Sequence, residues 1–187
     1  MAGTLTVQNI QGPTSGDNAN KIIVPSGHTL ESVGAVVAPH SIVQTIQDNS
    51  IANLTNSSTS TWADTNYQIS ITPIYSDSKI ELIYMVPFRL SGSGDKMRGG
   101  HRIYRDISGG SSTLIINTSS NLELFQVRNA ANEYDNIHSG VFIDSPATTS
   151  QVTYRIQNYI HGDTGASFIQ SKASDVGGSL IVREIAQ

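Results

Sequence analysis

In Tyr67-Gln68-Ile69-Ser70-Ile71-Thr72-Pro73, polar and apolar residues alternate one by one. A period of two gives one apolar and one polar face only on an extended strand, because successive side chains there point to opposite sides. Lys79-Ile80-Glu81-Leu82-Ile83-Tyr84-Met85-Val86-Pro87-Phe88 follows across the turn Tyr75-Ser76-Asp77-Ser78 and reads as its partner. Gly99 to Asp106 and Thr113 to Asn117 flank Ile107-Ser108-Gly109-Gly110-Ser111-Ser112, whose glycines permit a hairpin turn.

Further strands are expected at Leu122 to Val127, Ser139 to Asp144, Gln151 to Ile160, Ser167 to Gln170 and Gly178 to Ile185. Short strands spaced by turns predict an all-β fold, an antiparallel β-sandwich of jelly-roll type, over residues 62–187. The final strand would fray as a free edge, so it is expected inside a sheet. The stretches 91–100, 128–138 and 161–166 are expected as outward loops. Composition agrees: only 14% of the 187 residues are charged, and Ser, Thr, Asn and Gly abound, which suits turn-rich β structure rather than amphipathic helices.

The first part of the chain differs. Its apolar residues come in bursts, Leu5-Thr6-Val7, Ile22-Ile23-Val24-Pro25 and Val33-Gly34-Ala35-Val36-Val37-Ala38-Pro39, too short to close a core unaided. Residues 1–55 are therefore read as an extended N-terminal arm for docking and oligomerisation, with a linker to about 61; the polar passage 49–61 reads as that linker or as an irregular strand leading into the head. Ile22, Ile23, Val24, Val36 and Val37 are its expected contact residues. Two readings of the arm stay open: a strand-turn repeat completed by sister chains, and a plain tether. Trp62, the only tryptophan, opens the head. It is expected to pack at the head base or against a neighbouring subunit, with sugar stacking as the alternative.

Several function classes are excluded or disfavoured by residue chemistry. With no cysteine there is no disulfide, thiolate metal site or cysteine nucleophile. The net charge of -4 and scattered basic residues speak against nucleic acid binding. The loose group Lys96, Arg98, Arg102 and Arg105 reads as a solvated loop and strand face. No apolar run approaches the roughly 20 residues of a membrane span, and no leader pattern opens the chain. Synthesis in a cytoplasm without cleavage is expected.

His28, His40, His101, His138 and His161 lack local metal-ligand spacing, and no nucleophile elbow or phosphate loop is present. No cofactor, metal or catalytic residue is expected. Asp77, Asp95, Glu133, Asp135 and Asp144 are the carboxylates from which a glycosidase pair could be drawn.

Two blocks carry a resemblance. Ala2-Gly3-Thr4-Leu5-Thr6-Val7-Gln8-Asn9-Ile10-Gln11-Gly12-Pro13 and Asn20-Lys21-Ile22-Ile23-Val24-Pro25-Ser26-Gly27-His28-Thr29-Leu30 together resemble the start of tail-fibre-like and other virion proteins of marine phages. Ser78 to Leu82, Phe142 to Tyr154 and Leu180 to Ile185 look like the C-terminal knobs of such fibres, which are similar in outline to the trimeric C1q and tumour-necrosis-factor jelly rolls. The resemblance implies a non-enzymatic virion structural protein made in a host cytoplasm. It implies a homotrimer whose arm docks on other virion proteins and whose head faces a host-surface glycan or receptor. Barely sixty residues precede the head, short for a fibre shaft, so a capsid decoration or head-fibre protein stands as an alternative. A polysaccharide-degrading tailspike and a cellular lectin-like module are further ones.

Overall fold

The computed structural model describes residues 12–17, 22–28, 38–49, 54–57, 61–92, 96–117, 125–128, 132–162, 167–170 and 177–187. Its strands in chain order are Ile42–Asp48 (β1), Leu54–Asn56 (β2), Trp62–Ile71 (β3), Lys79–Gly92 (β4), Lys96–Ile107 (β5), Ser112–Asn117 (β6), Phe125–Arg128 (β7), Asn132–Asp144 (β8), Val152–Gly162 (β9), Ser167–Gln170 (β10) and Ser179–Ile185 (β11). No helix occurs among the described residues.

The strands form two antiparallel sheets. One runs β1-β11-β4-β10-β2, with β8 along the other side of β4; the second runs β3-β9-β5-β6, with β7 also on β5. The pairs β1·β11, β3·β9, β4·β8 and β5·β6 are nested one inside the next. That nesting is a long hairpin wrapped into two layers, β1-β11-β4-β8 over β3-β9-β5-β6, which is the jelly-roll arrangement. As expected, β11 lies inside its sheet, between β1 and β4.

The period-two pattern sets the core. Tyr67, Ile69 and Ile71 of β3 and Val152, Tyr154 and Ile156 of β9 meet Ile80, Leu82, Tyr84 and Val86 of β4 and Leu180 and Val182 of β11, all buried. Each such aliphatic side chain contributes about 1.5–3 kcal/mol on leaving water. Pro87 sits within β4, which would normally break a ladder. It falls between Met85, the last partner of β11, and Phe88, the first partner of β10, where that side of β4 has no paired strand among the described residues.

Two boundaries differ from the sequence reading. Residues 42–48, placed there in the arm, form β1 and pair with β11 from Ile42↔Ile185 to Asp48↔Leu180; Ile46 packs on the core. Residues 54–56, in the passage read as a linker or an irregular strand, are a strand and pair with β10. The compact unit runs from Val37 to Gln187. An edge strand buries one face and pairs on one side, so Ile46 suffices where Gln44, Thr45 and Gln47 reach polar surroundings. Likewise most of 128–138, expected as a loop, is strand: Asn132 to His138 pair with Gly92 to Val86.

Met1–Val36 is a separate unit. Within it Pro25-Ser26-Gly27-His28 is a turn in which the His28 N–H donates to the Pro25 carbonyl at 3.1 Å. Gly27 takes φ 85° at the position that favours glycine. Ile22, Ile23 and Val24 are exposed. Val36 and Val37 lie outside the described residues.

Candidate functional site

The outward residues of β3, β9 and β5 build a ladder on the second sheet. Register sets Trp62 opposite Tyr159, Asp64 opposite Gln157 and Gln157 opposite Arg102, then Gln68 opposite Arg155 and Arg155 opposite Tyr104. Trp62 and Tyr159 lie 5.2 Å apart between ring centroids. The Arg102 guanidinium stacks 4.4 Å from the Trp62 centroid and 5.0 Å from Tyr104, and Arg155 covers Tyr104 at 4.9 Å.

Hydrogen bonds lock these planes. Arg102 Nε donates to Gln157 Oε1 at 2.7 Å, Gln157 Nε2 donates to Asp64 at 2.6 Å, and Arg155 bridges Asp64 and Asp106. Trp62 thus packs within its own sheet face, stacked by Arg102.

The loose basic group of the sequence divides here. Arg102 and Arg105 are three apart and therefore on opposite faces of β5: Arg102 joins the ladder, while Arg105 turns inward to Asp144. The side chains of Lys96 and Arg98 lie outside the described residues.

The outer face of the first sheet is apolar along β8. Ile137, Val141 and Ile143 are 47%, 63% and 50% exposed. They continue onto β4 and β11, since Val141 is opposite Ile83 and Ile83 opposite Ile181. Flanking charges are neutralised within the chain: Arg89 grips Asp135 through two bonds of 2.6 and 2.8 Å, and Arg183 meets Glu81 at 3.1 Å. Among the described residues β8 pairs only with β4, over thirteen positions without a register shift. It carries no Lys, Pro or bulge; among its described side chains, Asp135 and the inward-pointing Asp144 are charges of the kind that blunt an edge, each neutralised by an arginine.

Two polar links tie β8 to the opposite sheet. His138 of β8 and His101 of β5 face each other Nδ1 to Nδ1 at 3.0 Å, with rings 6° from parallel. Phe88 and Tyr84 stand edge-on beside them at 5.8 and 5.1 Å. His101 is fully buried; burial, with the charge of His138 adding, holds its pKa well below the ordinary histidine value, and burial lowers His138 too. Farther along, Asp144 accepts two bonds from Arg105, at 2.9 and 3.0 Å, and one from Tyr154 Oη at 2.8 Å. Burial, reinforced by that carboxylate, pushes the Tyr154 phenol up.

The histidine pair is what sequence reasoning missed. The two residues lie on strands of different sheets, so no local spacing could announce them. They do not assemble a metal site: no group of three or more metal-ligating side chains gathers among the described residues. Of the carboxylates considered for glycoside cleavage, Asp135 and Asp144 do not converge: they project to opposite faces of β8, and each is held by its own arginine. The side chains of Asp95 and Glu133 lie outside the described residues.

This geometry defines a jelly-roll β-sandwich with one apolar outer face and one stacked polar-aromatic outer face. No protein-family model matches the chain, and no curated protein matches it. Among solved structures it is similar to a chain of infectious bursal disease virus, Gt strain, with TM-score 0.42 and 14% identity, covering 94% of this chain and 46% of that one. A chain of the Gx strain gives TM-score 0.35 and 10% identity over 88% of this chain and 45% of that one. This chain spans less than half the length of either, and neither likeness is close enough to transfer a function.

Proposed function

We propose that this chain is a structural subunit of a virion, a tail-fibre or short-appendage protein of a phage particle, that works by association rather than turnover. The observation that carries the reading is the edge of β8, which among the described residues pairs on one side only, with Ile137, Val141 and Ile143 exposed beside it. A long edge strand beside an exposed apolar face is an aggregation hazard unless something covers it.

A second copy of this chain is the occupant that fits. The flanking charges Arg89, Asp135, Arg183 and Glu81 are already paired within the chain, so identical surfaces meet without net repulsion. The resemblance of residues 2–30 to phage virion proteins supports a particle setting, with the arm as docking segment and a homotrimer as the assembly. A jelly roll is a fold used by capsid and lectin domains, which suits a head displayed for host-surface attachment. The reading needs no cofactor and no catalytic residue.

Mass photometry and light scattering test it. The wild-type chain is expected to be a discrete oligomer, a trimer. Val141→Asp together with Ile143→Asp is expected to give a monomer with unchanged far-ultraviolet circular dichroism. A wild-type chain that stays monomeric at tens of micromolar overturns the association reading. Copy number per intact particle separates a tail appendage from a capsid decoration.

A further inference from the structure

We propose that His101 and His138 form an acid-released latch between the two sheets, and that its release loosens the hold on β8. An Nδ1-to-Nδ1 contact of 3.0 Å makes a strict demand on the two protons. One ring must donate its Nδ1 proton and the other must present a bare Nδ1 lone pair. The bond survives with both rings neutral, and with one ring cationic as long as the other keeps that lone pair. It cannot survive two imidazolium rings, because both Nδ1 atoms then carry protons and two like charges face each other in a site with little water.

Among the described residues, the titratable or charged side chains on the inward faces are Tyr67 of β3, Tyr84 of β4, Arg105 of β5, Tyr134 and Asp144 of β8, Tyr154 of β9 and Glu184 of β11; Asp144 holds both Arg105 and Tyr154. Since both folded-state values lie below the ordinary 6.5, the unfolded chain takes up protons first as pH falls. The latch's contribution is complete above about 6.5 and is lost progressively below it.

The consequence reaches the surface because His138 lies on the strand that bears Ile137, Val141 and Ile143. That part rests on the association reading above, whereas the latch itself does not.

The test compares the wild-type chain with the double variant His101→Gln, His138→Gln in urea titrations between pH 7.5 and 4.5. Each differential proton makes unfolding tenfold more favourable per pH unit. Between pH 6 and 5 the wild-type unfolding constant is expected to rise at least about tenfold more than that of the variant. Deuterium uptake over residues 132–144 is expected to increase in acid in the wild type only. The same series in Val141→Asp separates latch from assembly: equal pH slopes place the latch within one chain, whatever that variant's oligomeric state. Parallel pH slopes for wild type and double variant overturn the proposal. Should the double variant fail to fold, nitrogen-15 spectra of wild-type histidines decide: two rings titrating independently at ordinary values overturn it, and a complementary pair of tautomers that titrates late upholds it.

Discussion

Glu184 of β11 accepts the backbone N–H of Ile74 at 2.8 Å, and its carboxylate also takes the Tyr75 N–H at 3.0 Å and Gln44 Nε2 at 2.6 Å. A strand near the end of the sequence thereby anchors the loop that leaves β3. Burial alone would raise this carboxyl's pKa, but the donors from Gln44, Ile74 and Tyr75 outweigh it and hold the group below its ordinary value.

Glu184→Gln is expected to cost about 1.5–3 kcal/mol at pH 7, the range for hydrogen bonds to a charged group. Urea unfolding measures it. Because the folded-state value is depressed, the wild-type advantage is present above the ordinary 4.5 and shrinks as pH falls below it. The two unfolding curves should converge toward pH 3.

Arg105→Met is expected to destabilise by about 3–5 kcal/mol, because it strands the buried Asp144 carboxylate. Adding Asp144→Leu should recover part of that loss, since an apolar pair carries no unmet charge. A double-mutant cycle read by thermal unfolding checks the coupling.

Gly178→Ala drives a methyl group into the hydroxyl end of the Tyr67 ring, which is itself fully buried. A loss of about 1–3 kcal/mol is expected, as for other overpacked cores. Gly177→Ala meets nothing nearer than the Asn49 carbonyl at 3.7 Å and should be close to neutral in the same assay.

Arg102→Ala removes the guanidinium stacked on Trp62. A stability loss of about 0.5–1 kcal/mol follows for a surface cation–π contact. With one tryptophan in the chain, fluorescence reports on this site alone: a shift to longer wavelength and stronger acrylamide quenching are expected.

The sandwich was legible where a strand has one dry and one wet face, as Tyr67 to Ile71 and Gln151 to Ile160 do. It was less legible where a strand lies at an edge. Residues 42–48 and 132–138 are both edge segments rich in polar residues, Thr45 and Gln47 in the first and Asp135 and Asn136 in the second being exposed, so they read as arm and loop. Of the site, Trp62 stood out by its rarity, yet its partners Arg102 and Tyr159 could be placed only by register. The meeting of His101 and His138 depends on the two sheets closing, and a one-dimensional pattern holds no trace of that.

The nested strand order also bears on how the molecule comes to exist. Its innermost hairpin, β5·β6, can form from neighbouring residues, whereas β1 and β4 must wait for residues 179–185 to fill the space between them. A nascent chain would hold a gap in its first sheet until that segment emerges, and such non-local pairing is the kind that slows folding.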